Sequence, residues 1–161
     1  MVGKFMLKNF LKRQSDVFYV QVWPERIKVT ELNSSEVFDD APLLAYKNEG
    51  EEKTVVSIGA ASQTLGGLET TQIVNPFYRD GCVIGDVDCS IAIINHALHT
   101  ITEELSGKFF SPLLIFHSMS EVVDDVGHSD DELKALLSRR CGAREVVIMK
   151  SDEYLDLEGL D

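Results

Sequence analysis

The chain has 161 residues, 44% hydrophobic and 26% charged, a globular composition long enough for one domain with its own core. Fifteen basic against 27 acidic residues give a net charge of −12, which argues against general nucleic-acid binding, where clustered cations must meet phosphates. No run approaches the about 18 apolar residues of a membrane span, and no signal-peptide pattern opens the chain, so a cytoplasmic protein is expected.

Residues 1–14 read as a basic amphipathic helix. Val2, Phe5, Met6 and Phe10 fall on one stripe, and Lys4, Lys8 and Lys12 on another. With Arg13 the segment carries four cations and no acid, while the remaining 11 basic and 27 acidic residues leave −16. Two placements fit this pattern: a helix folded back onto the domain, or one lying in an anionic membrane interface. In the second, the membrane-binding residues are Val2, Lys4, Phe5, Met6, Lys8, Phe10, Lys12 and Arg13.

Residues 15–150 read as a single lobe. Val17 to Trp23 is rich in β-branched and aromatic residues and is broken by Pro24-Glu25. From Arg26 to Leu32 charged and apolar residues alternate, as in a half-buried strand. A third strand is expected from Val37 to Ala45, interrupted at Pro42, and a fourth from Thr54 to Ile58, stopped by Gly59. Together these read as an antiparallel meander. One or two helical turns follow from Ala60 to Leu65, and the Asn75-Pro76 and Asp80-Gly81 turn signals bracket a short connector.

Asp86 is placed to cap a long helix through Leu105, with Ile91, Ile94, Ala97, Leu98 and Ile101 on its inner stripe. The apolar run Pro112 to Phe116 suits a strand buried on both faces. Ser129-Asp-Asp-Glu132 is a capping box for a helix with Leu133, Leu136 and Leu137 inward, ending near Gly142. Glu145 to Met149 is a last buried strand, and residues 151–161 form an acidic tail. The fold class is thus α/β: a mixed sheet, an antiparallel meander followed by βαβ crossovers, in the ribonuclease-H-like order.

Chemistry is sparse. Cys82, Cys89 and Cys141 match no zinc spacing with His96, His99, His117 or His128, and read as reduced thiols, so no metal is expected. No nucleophile elbow, Walker loop or dinucleotide glycine motif occurs. His117 follows a strand where α/β proteins place functional groups, but it has no visible nucleophile or metal partner and reads as structural. Asp124-Asp125 and the Asp130-Asp131-Glu132 cluster are explained by helix capping and dipole alone. Domains of this order bind phosphates at the hairpin of their first two strands, using glycines and a metal-binding carboxylate. Here that hairpin reads Gln21-Val22-Trp23-Pro24-Glu25: no glycine, an amide lost to proline, and Gln21 where a carboxylate is needed.

Several stretches resemble the bacterial actin-like rod shape-determining protein family, MreB, over its N-terminal lobe. Asn75 to Asp86, with Pro76, Asp80-Gly81 and Val83-Ile84, is similar to the family's Arg-Pro-x-x-Asp-Gly-Val-Ile-Ala-Asp segment. Gly142-Ala-Arg-Glu-Val-Val147 is similar to its Gly-Ala-Arg-Glu-Val, Ser111 to Ile115 to its Ser-Pro-Arg-Val-Leu, and Ser57 to Gly66 to its Val-Gly-x-x-Ala…Leu-Gly. The basic helix over residues 1–14 resembles that of membrane-binding members. Departures fall on the nucleotide motifs. The first phosphate loop, Asp-Leu-Gly-Thr, is replaced near Gln21 to Pro24, a Glu-Glu-Pro by Lys150-Ser151-Asp152, and the Arg before Pro by Asn75. The helix-start glutamate has only Asp130, Asp131 or Glu132 as counterparts, and the second phosphate loop and adenosine segment would fall beyond Asp161.

The resemblance therefore implies an actin-like ATPase lobe with degenerate nucleotide motifs, a pseudo-ATPase binding no cofactor. The expected role is that of an accessory of the cell-shape cytoskeleton, or a protein-binding module at the inner membrane. Expected partners are proteins, including a full-length actin-like filament protein, a second copy in a weak homodimer, and an anionic membrane surface. The alternative is a ribonuclease-H-like ATPase or nuclease, which would need converging carboxylates at strand ends.

Overall fold

The computed structural model describes residues 4–5, 16–68, 70–104, 112–122 and 127–156. In chain order it contains β1 (Lys4–Phe5), β2 (Val17–Trp23), β3 (Arg26–Glu31), β4 (Val37–Asp40), β5 (Leu44–Glu49) and β6 (Glu52–Ile58). A short 3-10 helix (Ala60–Leu65) leads to β7 (Thr71–Val74), β8 (Phe77–Arg79) and β9 (Cys82–Ile84). Then come α1 (Val87–Glu104), β10 (Leu113–Ser118), α2 (Asp130–Cys141), β11 (Glu145–Met149) and β12 (Tyr154–Leu155).

The main sheet has five strands in the order β11-β10-β2-β3-β4. β2, β3 and β4 pair antiparallel, while β10 runs parallel to both β2 and β11. Side chains leave a strand alternately to its two faces, and the core obeys that period. Phe18, Val20, Val22, Leu114, Phe116 and Val146 pack with the helix residues Ile91, Ile94, Ala97, Ile101 and Leu137. Val17, Tyr19, Leu113, Ile115 and Met149 form a second cluster on the opposite face, joined by Leu155. The central strands β2 and β10 are therefore apolar on both sides.

The helices begin and end for local reasons. The Asp86 carboxylate accepts the Cys89 amide at 3.1 Å, and Ser129 Oγ accepts the Glu132 amide at 3.2 Å. Gly142 ends α2 at φ 71°, a left-handed conformation that glycine adopts without a Cβ penalty.

Four expectations need correction. Residues 37–45 are not one strand: β4 closes the main sheet, and β5 opens a separate three-stranded sheet in the order β6-β5-β7. Pro42 has no amide to continue a ladder, and Asp40 Oδ1 instead accepts the amides of Ala41 and Ala60, at 2.7 and 2.9 Å. The strand around Thr54 to Ile58 thus belongs to the second sheet, not to the meander. The connector of residues 75–86 holds the hairpin β8-β9, whose Asp80-Gly81 turn has φ of 52° and 76°, as tight hairpins require. Finally, Lys4–Phe5 is not helical but pairs in parallel with Tyr154–Leu155, so the acidic tail contributes a strand. The remaining predicted membrane residues, Val2, Met6, Lys8, Phe10, Lys12 and Arg13, lie outside the described residues, as does Asp124-Asp125. Among the described residues no helix is long and apolar enough to cross a membrane.

Candidate functional site

The parallel strands β2, β10 and β11 end side by side, with Ser118 opposite Val22 and His117 opposite both Gln21 and Met149. In open α/β sheets ligands bind outside this carboxyl edge. Here the edge opens into a crevice of about 300 Å³. Its floor is apolar, from Ile84, Phe116, Leu133 and Met149, and its rim carries Ser118, Ser120, Glu121, His128, Lys150 and Ser151.

The β2–β3 turn borders this edge and is tied down from the β8-β9 segment. The Tyr78 hydroxyl donates to the Val22 carbonyl at 2.5 Å and lies 3.1 Å from Ser118 Oγ. It also accepts the Ser120 amide at 3.3 Å, and the Met119 amide donates to the same Val22 carbonyl at 2.9 Å. Tyr78 is held in the left-handed region at φ 53°, a costly conformation for a bulky residue that persists only where its surroundings over-determine it. Next to it, Asn75 Nδ2 donates to the Pro24 carbonyl at 2.7 Å, while Asn75 Oδ1 accepts the Phe77 amide at 3.1 Å. Asn75 and Pro24, two departures from the MreB pattern, thus touch each other.

The tip of the hairpin is fastened from its other side. Arg26 makes a bidentate pair with Asp39, with Nε to Oδ1 at 2.8 Å, and its guanidinium lies 5.0 Å over the Trp23 ring. The hydrogen bonds from Arg26 hold the Asp39 carboxyl below its ordinary range.

These contacts decide whether a magnesium-bound nucleotide phosphate would fit. The turn offers Gln21 where a metal carboxylate is needed, and Gln21 Nε2 points instead to Met119 Sδ at 3.8 Å. The first turn of α2 carries Asp130, Asp131 and Glu132, which oppose the attraction of a helix N-terminus for anions. Lys150 Nζ, the cation on the rim, is paired with Asp130 Oδ1 at 2.9 Å. Among the described residues no group of three or more His, Cys, Asp or Glu is arranged to hold a metal. The turn is built as a packed corner, and the donor set among the described residues does not fit a metal-bound phosphate.

His117 lies at the same end of β10 but on the opposite face of the sheet. Its Nε2 is 2.8 Å from the Lys150 carbonyl, an acceptor only, so Nε2 carries the proton and Nδ1 accepts from the Tyr19 hydroxyl at 2.6 Å. Burial lowers the His117 pKa and pushes Tyr19 up to about 12, so the pair is a neutral, fully bonded element of the core. Burial also raises the Cys89 and Cys141 thiols to about 11, which keeps them protonated and poorly nucleophilic.

Sequence reasoning found the hairpin's deficiencies but missed Tyr78, Ser118 and Ser120. No local signal marks them, because Tyr78 and Val22 are 56 residues apart. Of the sequence-predicted membrane residues, Lys4 and Phe5 are placed by backbone pairing with β12.

No protein-family model matches the chain, and no curated protein matches it. Solved structures do. MreB5 of Spiroplasma citri bound to ADP superposes with a TM-score of 0.64 at 17% identity over 84% of this chain. The same protein bound to AMPPNP gives 0.62 at 17%, and a non-polymerising A278D mutant of MamK bound to AMPPNP gives 0.53 at 14%. The chain spans 38% of the length of the MreB5 structures and 41% of that of MamK. The fold is that of an actin-like, ribonuclease-H-like lobe.

Proposed function

We propose that the chain is a non-catalytic MreB-like protein, an accessory of the cell-shape cytoskeleton or a protein-binding module on the cytoplasmic side of the inner membrane. The observation that carries this reading is the Tyr78 hydroxyl on the Val22 carbonyl, beside a turn without glycine that has Gln21 where a metal carboxylate is needed. Where the similar MreB5 and MamK structures hold ADP or AMPPNP, a lobe of this kind needs free backbone donors and a cation to meet phosphate charge. Among the described residues, Pro24 offers no amide, Gln21 stands where a metal carboxylate is needed, and the rim cation Lys150 is paired with Asp130. What is left to such a lobe is recognition by surface. Its proposed partner is a full-length actin-like filament protein, and residues 1–14, with four cations against −16 in the remainder, are the part suited to an anionic membrane.

Two measurements test this reading. Calorimetric titration with Mg-ATP is expected to give no binding heat, and micromolar affinity or ATP turnover would overturn the non-catalytic assignment. Co-sedimentation with filaments of a full-length MreB-type protein is expected to carry the chain into the pellet. If it stays in the supernatant at every filament concentration, the accessory role is wrong.

A further inference from the structure

The helices cover one face of the main sheet, yet the other face is just as dry. α1 and α2 pack onto the cluster around Phe18, Val20 and Phe116. On the opposite face Val17, Leu113 and Ile115 are fully buried and Met149 is 1% accessible. Among the described residues, the apolar side chains added to this second cluster are only the partly buried Leu32, Val147 and Leu155. Side chains stand out from a sheet, so neighbours on the same face cannot shield their tips; that takes a second layer about 10 Å above. β12, two residues long, is too small to be that layer. Residues 105–111 and 157–161 reach this face by one end only, near Leu113 and Leu155. Residues 6–15, outside the described residues, reach it by both. At one end the Asp16 carbonyl accepts the Leu113 amide at 2.8 Å, beside Val17. At the other, Lys4–Phe5 pairs with β12, whose Leu155 packs on the cluster.

We propose that residues 6–15 are this second layer: they dock on the face through Met6, Leu7, Phe10 and Leu11, and so withhold those side chains from a membrane. Pattern, length and tethering select this occupant. The spacing i, i+1, i+4, i+5 puts the four apolar residues on one helical stripe and leaves Lys8 and Lys12 opposite it. Ten residues of helix are about 15 Å long, enough to span β2, β10 and β11 at about 4.8 Å between neighbours. Both ends of the segment are already tied to the face, so docking it adds little loop-closure cost. The docking stands on the buried face alone, while its consequence for membrane binding rests on the membrane role proposed above. Docked, the segment shows a bilayer two lysines but no apolar stripe. Inserting it would strip Val17, Leu113 and Ile115 of their cover. Membrane affinity is therefore limited by the undocked fraction.

The test uses the full chain. Hydrogen–deuterium exchange in the absence of lipid is expected to slow the amides of Phe10 to Gln14 at least about tenfold below unstructured rates. A helix of ten residues is not stable alone in water, so such protection reports docking. Vesicles of equal parts phosphatidylglycerol and phosphatidylcholine then read the competition. Ile115→Ala weakens the dock without touching the segment and should raise vesicle affinity at least about fivefold. Leu155→Ala, at a partly exposed site, is the milder variant and should act in the same direction; an unchanged far-ultraviolet spectrum confirms that each folds. Exchange at unstructured rates from Phe10 to Gln14, with residues 105–111 or 157–161 protected instead, would assign the cover elsewhere and overturn the proposal. So would a vesicle affinity that stays level or falls in both folded variants while the parent chain binds. If no variant binds vesicles although Phe10 to Gln14 are protected, the docking holds and the membrane role is what fails.

Discussion

The two sheets of this lobe use similar sequences to opposite ends. Leu113-Leu-Ile-Phe116 in β10 and Thr54-Val-Val-Ser-Ile58 in β6 are both short apolar runs of strand-forming residues. β10 has a strand on each side and a packed cluster on each face, and its residues Leu113 to Phe116 are at most 1% exposed. β6 has a strand on one side only and is exposed from Glu52 through Val56. An apolar run therefore marks a strand but not its burial, which depends on how many neighbours the topology supplies.

The sharpest break of this comparison is Phe116→Ala. It leaves a cavity in the helix-side cluster and should cost about 3–5 kcal/mol in chemical denaturation. A cost below about 1 kcal/mol would mean that the main sheet is not the stability centre. Next comes the junction between the sheets. Gly59 has φ 98°, and a Cβ there would lie 2.0 Å from Asp40 Oδ2, the carboxylate that holds the Ala41 and Ala60 amides. Gly59→Ala should cost about 1–3 kcal/mol, and heteronuclear spectra should show the largest changes at residues 40–41 and 59–62.

Tyr19→Phe removes the donor to His117 Nδ1 and leaves a buried acceptor unpaired, for a loss of about 1–3 kcal/mol. The same histidine sets a pH dependence. Its folded pKa is lowered from 6.5 by burial, so the unfolded chain takes up the proton first. Stability is present in full above about pH 6.5 and declines as the pH falls toward the folded value. Thermal melts from pH 7.5 down to 5 should show this slope, and His117→Gln should flatten it. Ser129→Ala, which removes the cap from α2, should cost about 1 kcal/mol. The smallest expected effect is in the exposed edge: Val55→Thr/Val56→Thr should alter monomer stability by no more than about 0.5 kcal/mol. A larger loss would show that β6 is buried after all.

The candidate site was half legible before the fold was known. Gln21 and Pro24 disclose that the turn lacks a metal carboxylate and an amide, because those are properties of single residues. What stands in place of the missing groups was not legible. Tyr78 reaches Val22 across 56 residues, and Asn75 reaches Pro24 across 51.

What the sequence by itself determined is the set of features that act within about one turn or one strand. The Asp86 and Ser129 caps, the Gly142 stop, the Asp80-Gly81 turn and the alternation along β3 all depend on neighbours a few residues away. Tertiary structure alone decided where residues 37–45 divide between two sheets, which apolar strand is central and which is an edge, and that Lys4–Phe5 pairs with Tyr154–Leu155. The physical reason is that these outcomes rest on backbone hydrogen bonds between distant segments. Every strand presents the same donors and acceptors, so the choice of partner is made only when the whole chain packs.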